Sequence, residues 1–198
     1  MSYRLPKAAP YQYVYRLGLD IDKLTIHQES TLPSSPALPE NFDVQTHMVT
    51  HQVRGRIFHA TIPSAHLAAE LMASGGPADI AEATAIFRAV LTCQEVRDTD
   101  PHRGNFRWEL EDEVVEDLNA VQFVLFYCIP VLCTAQDALP PDLVAAMRRA
   151  IALGLEEIAR IDVAPAYTNI VLKDIANSCL GGQLLSDSDI GHRGQEKL

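Results

Sequence analysis

The stretch DEVVEDLNAVQFVLFYCIPVLCTA, residues 112–135, decides how this chain is read. Asp112 and Glu113 stand where the positive end of a helix dipole favours carboxylates, and after Gln122 the run is apolar on every side. A helix hydrophobic all round is either a core helix or a membrane span. The uncharged part, Leu118 to Gln136, is broken by Asn119, Gln122 and Pro130 and led into by acidic residues, so it reads as a buried helix and no membrane partner is expected. A buried helix needs neighbours, and the flanking sequence supplies them.

Upstream, Ser64 caps a short helix to Ala73, closed by Ser-Gly-Gly. Pro77 then opens a helix reaching Glu95, with Ile80, Thr84, Phe87 and Leu91 in one stripe. Downstream, Leu139-Pro-Pro breaks the chain before a helix over 142–160. Leu143, Met147, Ile151 and Ile158 line one side of it, and Asp142, Arg149, Glu156 and Arg160 the other. A last helix runs from Tyr167 to Leu180 and stops at Gly181-Gly182. Five consecutive helices with short breaks pack as antiparallel neighbours. The expectation is therefore a mainly α fold of helical hairpins over 41–182. It is preceded by an arm and Pro/Ser linker (1–40) and followed by a polar, mobile tail (183–198). In the arm, residues 11–26 alternate at a two-residue period, the pattern of a strand or extended segment. Residues 43–62 satisfy helix and strand periods equally.

Composition narrows the function. The chain has 198 residues, 47% apolar and 21% charged, with a formal charge of −10 and no basic run, so a nucleic-acid surface is not expected. Its start lacks the apolar block and small-residue cleavage site of a signal peptide, which points to the cytoplasm. The four cysteines make no C-x-x-C pair and read as reduced core thiols. Without a glycine-rich phosphate loop or a G-x-S-x-G elbow, no nucleotide, cofactor or serine nucleophile is implied. His47-x-x-x-His51 would place two imidazoles on one face of a helix, with His59 and His66 beyond. The glutamate of H-E-x-x-H is missing, however, and no metal site is assigned.

If the helices alternate up and down, segments 56–63, 96–111 and 161–169 share one end. This rim collects His59, His102, Arg103, Asn105, Arg107, Trp108, Glu109, Glu111, Asp162, Tyr167 and Asn169. The opposite end, loops 74–77 and 136–141 with the tail, holds little but Gly, Pro and Ala. A long loop in a helical protein calls for a function. Trp108 offers a flat apolar face with one N–H donor, and Arg103 and Arg107 suit a carboxylate. The competing reading is that Trp108 plugs the helix ends while the arginines pair with Glu109, Glu111 and Asp112. In the helix after the loop, Asp112, Glu116 and Asn119 share a side. They are either an acid/base set facing a pocket or a solvated first turn, with Asn119 a turn deeper than polarity is expected.

Serial helical hairpins with one polar rim resemble part of an α/α toroid, the six-hairpin architecture of many glycoside hydrolases and polysaccharide lyases. The text that carries the resemblance is Asp100-Pro-His-Arg-Gly-Asn-Phe-Arg-Trp-Glu109 leading into Glu116, Asp117 and Asn119, and then Ala166-Tyr-Thr-Asn-Ile170. It covers about 64–180. What it implies is a glycan cleft on the rim. A lyase of this shape would exchange protons through Tyr167 and His102 and neutralise a uronate with Asn105 or Asn169 and Arg103 or Arg107. A hydrolase would use two carboxylates from Glu109, Glu111, Asp112 and Glu116. His59, Trp108 and Asn119 would meet the sugar in either case. Twelve helices of ~11–12 residues plus loops exceed this chain. The expectation is thus an open arc: part of a longer enzyme, or a protomer completed by a second chain. The end at Lys197-Leu198, without a finishing element, favours truncation. The alternative is a non-catalytic helical-repeat protein whose rim binds a partner protein.

Overall fold

A computed structural model describes residues 35–161, 163 and 168–197. The expected strand over 11–26 and the residues Asp162 and Tyr167 lie outside this range. Three short strands, β1 (Phe42–Asp43), β2 (Met48–Val53) and β3 (Arg56–Ala60), lead into six helices. These are α1 (Thr61–Ser74), α2 (Pro77–Thr92), α3 (Ala120–Ala135), α4 (Pro141–Ile161), α5 (Thr168–Leu185) and α6 (Ser188–Glu196). The protein is mainly helical, with one small antiparallel sheet in the order β1-β2-β3.

The ambiguous stretch is a hairpin, not a helix. Val53 pairs with Arg56 across a two-residue turn in which Arg54 (φ 50°) and Gly55 (φ 82°) are both left-handed, the conformation whose twist matches paired strands. Arg-Gly at 54–55 was the overlooked signal. His47 and His51 therefore do not share a helix face: His47 is in the β1–β2 turn (φ 55°) and His51 is on β2. Ser64 is not a cap either. It lies one turn inside α1, where its hydroxyl donates to the Ala60 carbonyl (2.6 Å) and accepts from the Val49 amide (2.9 Å), joining helix to sheet.

Signals read from Pro and Gly hold where nothing competes: Pro77 starts α2, and Gly75 (φ 72°) closes α1. They fail at Gly181-Gly182, which lie inside α5. A Cβ on Gly181 would come 2.6 Å from Leu155 Cδ1, and one on Gly182 2.5 Å from the Gly191 amide. These glycines allow α4 and α6 to approach, and that packing carries the helix through them. The expected polar tail instead holds a helix: α6 folds back along α5. Asp174, wholly buried, receives Arg193 (2.8 Å) and Lys197 (2.8 Å).

The core helix is shorter than 112–135. α3 begins at Ala120, so Asp112, Glu113, Glu116 and Asp117 belong to an irregular segment that runs from 93 to 119. Four carboxylates at i,i+1 and i,i+4 spacing repel one another in a helix. Asp117 also takes the Asn119 amide on its side chain (2.7 Å), while Arg107 takes the Asp112 carbonyl (2.8 Å). From Ala120 onward α3 is packed into the core, with Val121, Val124, Leu125, Ile129 and Leu132 fully buried. On length and composition alone, Ala120–Ala138 could cross a membrane. Cys93 and Cys128 are buried thiols, whereas Cys133 is exposed, against the expectation of four core thiols.

The helices alternate in direction. Gly154 of α4 lies against Val121 and Leu125 at the start of α3, and Arg148 reaches Gln136 beyond its end (3.2 Å). Segment 93–119 closes one end of the stack. The Thr61 amide at the start of α1 donates to the Trp108 carbonyl (2.8 Å). Arg160, at the end of α4, donates to the carbonyls of Pro101 (3.3 Å) and Arg103 (2.5 Å).

Candidate functional site

At that end Trp108, Glu109, Asp112, Glu116 and Asp117 line a depression of about 480 Å³. All five come from one short run of chain, shaped by its contacts with β3 on one side and α3 on the other. Ala60 pairs with Glu109 as an isolated bridge, and the Leu110 amide donates to the His59 carbonyl (2.9 Å). The Trp108 ring packs on Phe123 at 6.1 Å between centroids, and its buried indole nitrogen has no hydrogen-bond partner among the described residues.

Glu109 is the electrostatically unusual member. Its side chain is 19% exposed, and Oε2 is buried without a hydrogen bond. Burial pushes its pKa above the ordinary value, the neighbouring carboxylates Asp112 and Glu111 push the same way, and His51 (3.6 Å) and His59 only partly oppose them. Asp112 uses Oδ2 to accept the Glu109 amide (3.0 Å), which fixes the backbone of the acid. The depression thus combines Trp108 and a carboxyl whose pKa is raised by burial with three further carboxylates.

Behind Glu109, His59 is held between two carboxylates. One ring nitrogen meets Asp43 Oδ2 (3.0 Å), the other meets Glu111, and a second Glu111 oxygen accepts the His59 amide (3.0 Å). Burial disfavours the charged imidazole, but the hydrogen bonds to Glu111 and Asp43 outweigh it and raise the His59 pKa above 6.5. Glu111 is pulled the other way: burial raises it, and the bonds from His59 more than reverse that.

Of the other described residues expected at the rim, Arg107, Arg103, Asn105, His102 and Asn119 have partners within the fold. Arg107 donates to the backbone carbonyls of Thr92 (2.8 Å) and Asp112 (2.8 Å), so it clips the end of α2 to the later part of the irregular segment. Arg103 pairs with Asp98 (3.0 Å) and more distantly Glu156 (3.8 Å). Neither arginine forms an ion pair with the carboxylates of Glu109, Glu111 or Asp112, as the plug reading required; Arg107 meets Asp112 at its backbone carbonyl. Asn105 is fully buried. Its Oδ1 accepts the Phe106 and Val121 amides (2.8 and 3.0 Å) and its Nδ2 donates to the Leu118 carbonyl (3.0 Å). His102 approaches the buried Glu157 (3.4 Å), to which Arg160 is also paired (2.6 Å). Asn119 is turned onto Asp117 (2.9 Å), and Asn169 is exposed on the first turn of α5. Of these, none lines the depression. Asp117, Asp43 and His51 belong to the site or its support and were not singled out from the sequence as parts of it. Asp117 was named only with the helix expected after the loop, and strand pairing alone brings the other two near.

His47 pairs with Glu82 (2.7 Å), away from His59. Among the described residues no group of three or more His, Cys, Asp or Glu side chains is arranged to hold a metal ion.

No family model, curated protein or solved structure matches this chain.

Proposed function

We propose that the rim formed by 108–117 binds a glycan, and that the chemistry it serves is glycoside hydrolysis rather than polysaccharide lysis. Glu109 is the observation that carries this reading. A carboxyl whose pKa is raised by burial is a better candidate to protonate a leaving-group oxygen than an exposed one, and a neighbour such as Asp112 or Glu116 would assist water or stabilise positive charge on the sugar ring. The Trp108 face would stack on the apolar side of a pyranose. A lyase needs a cation for its uronate. Among the described residues Arg107 and Arg103 are occupied elsewhere, and a lining of Trp108 and four carboxyl side chains disfavours an anionic sugar. On this reading the alternating helices are one sector of an α/α toroid.

A second reading, a non-catalytic surface for a partner protein, draws support from the hairpin beside the rim, where Val53 and Ile57 are 47% and 61% exposed.

Trp108 is the sole tryptophan, so its fluorescence reports this depression directly. The expected result is a saturable change on titration with neutral oligosaccharides and none with oligouronates. Glu109→Gln should retain that change and lose reducing-end release by about 10²–10⁴-fold. Absence of a saturable change across neutral α- and β-linked glycans would overturn the proposal, and preferential uronate binding would return the lyase.

A further inference from the structure

His59 joins three pieces of chain that are separate in sequence: Asp43 on β1, its own strand β3, and Glu111 in the segment that carries the depression. Both ring nitrogens lie within hydrogen-bond reach of carboxylate oxygens. An ionised carboxylate only accepts, so both contacts are hydrogen bonds only when the ring carries two protons. A neutral ring would donate to one carboxylate and turn a lone pair toward the other. We propose that His59 is a proton-operated latch: as an imidazolium it clamps residues 108–112 to the hairpin, and on losing one proton it releases that segment, with Glu109 on it, from its fixed place.

The groups facing the ring settle the direction. Asp43 faces it from β1 and Glu111 from the irregular segment. Glu109 lies just beyond, with His51 of β2 and Asp112 against it in turn. The doubly protonated His59 ring is the cation between Asp43 and Glu111, so its deprotonation leaves these two carboxylates close together, with Glu109 beyond, and removes the charge that offsets them. Two backbone bonds, Thr61 to Trp108 and Leu110 to His59, join the same segment to α1 and β3, so its release opens them transiently while the rest of the fold persists.

The pH window follows from the shifts. The His59 value is raised above 6.5, so its clamping is complete below pH 6.5 and is lost as pH rises through the raised value. Asp43 is lowered from 3.8, chiefly by the Gln45 amide and then by His59, and Glu111 is lowered from 4.5. Their contribution is complete above those values and disappears as pH falls through the lowered ones. The latch is therefore fully closed between pH 4.5 and 6.5.

Hydrogen exchange of the unliganded protein, normalised to each amide's intrinsic rate, tests this without reference to any glycan. Amides 108–112 should lose protection as pH rises past 6.5, by about tenfold for each pH unit through which the His59 value is raised, while the buried amides of α3 do not. His59→Gln should abolish the pH dependence and leave 108–112 loosely protected throughout. Should that variant fail to fold, Glu111→Gln serves instead, since removal of one carboxylate must move the midpoint toward lower pH. Protection of 108–112 that is independent of pH from 5.5 to 9 overturns the latch, as does a midpoint unmoved by Glu111→Gln.

Discussion

Replacement of Asn105 by alanine should destabilise the protein by about 3–4 kcal/mol. α3 begins without a side-chain cap of its own: Asn119, the residue at its start, makes no capping bond, and the Val121 amide is taken by Asn105 Oδ1 from 16 positions away. Loss of an N-cap costs about 1 kcal/mol. The same substitution strands the part-buried Leu118 carbonyl, which Asn105 Nδ2 satisfies at 3.0 Å, and the buried Phe106 amide, at about 1–3 kcal/mol for a buried polar group left unpaired. Asn105 is fully buried, so water does not readily replace it. Urea unfolding gives the loss as a lowered midpoint at unchanged slope. In a chain of this length the melting temperature should fall by roughly 10 °C, at 2–4 °C per kcal/mol. Asn105→Asp separates the terms. It keeps the acceptor for Val121, but faces the Leu118 carbonyl and Glu157 (3.4 Å from Nδ2) with an oxygen, so it should be destabilising too, and more so at pH 8 than at pH 5. A loss below about 1 kcal/mol in Asn105→Ala would refute the capping role. Binding of a substrate by Asn105 would then have to be reconsidered.

Gly181→Ala should lower stability by about 1 kcal/mol, because the added methyl meets Leu155 at 2.6 Å and Ile129 at 3.2 Å. Overpacking of about 1–3 kcal/mol then exceeds the ~1 kcal/mol that alanine brings to a helix interior. A thermal melt that shows stabilisation instead would mean that the α4–α5 contact can relax. Asp174→Ala removes the buried carboxylate that Arg193 and Lys197 share. It should cost about 3 kcal/mol, the low end for breaking a buried pair, since both cations keep a fifth of their surface in water. The expected sign is selective trypsin cleavage within α6, read by mass spectrometry, with the rest of the chain resistant. Wild-type resistance of α6 would show that apolar packing alone holds it.

The sequence by itself determined that this is a stack of helices, and approximately where each one breaks. Pro77 at a first helical position and Gly75 after a last one act within a turn of themselves, so their consequences are visible locally. It also determined that Trp108, Glu109 and Glu111 are concentrated in one long loop. Tertiary structure decided everything that depends on who lies opposite. Gly181 and Gly182 read as a stop, yet close approach by Leu155 and Gly191 keeps them helical. Acidic residues 112–117 read as a first turn, yet Arg107 and the Asp117 side chain compete for the backbone groups that a helix would use. Arg107 and Asn105 looked like ligand contacts because side-chain chemistry does not reveal whether its partner is a substrate or a carbonyl across the fold. The raised pKa of Glu109 and the doubly bonded His59 arise from burial and from carboxylates brought in from other segments. Desolvation and charge proximity are properties of three-dimensional neighbours, which residue spacing along the chain does not encode.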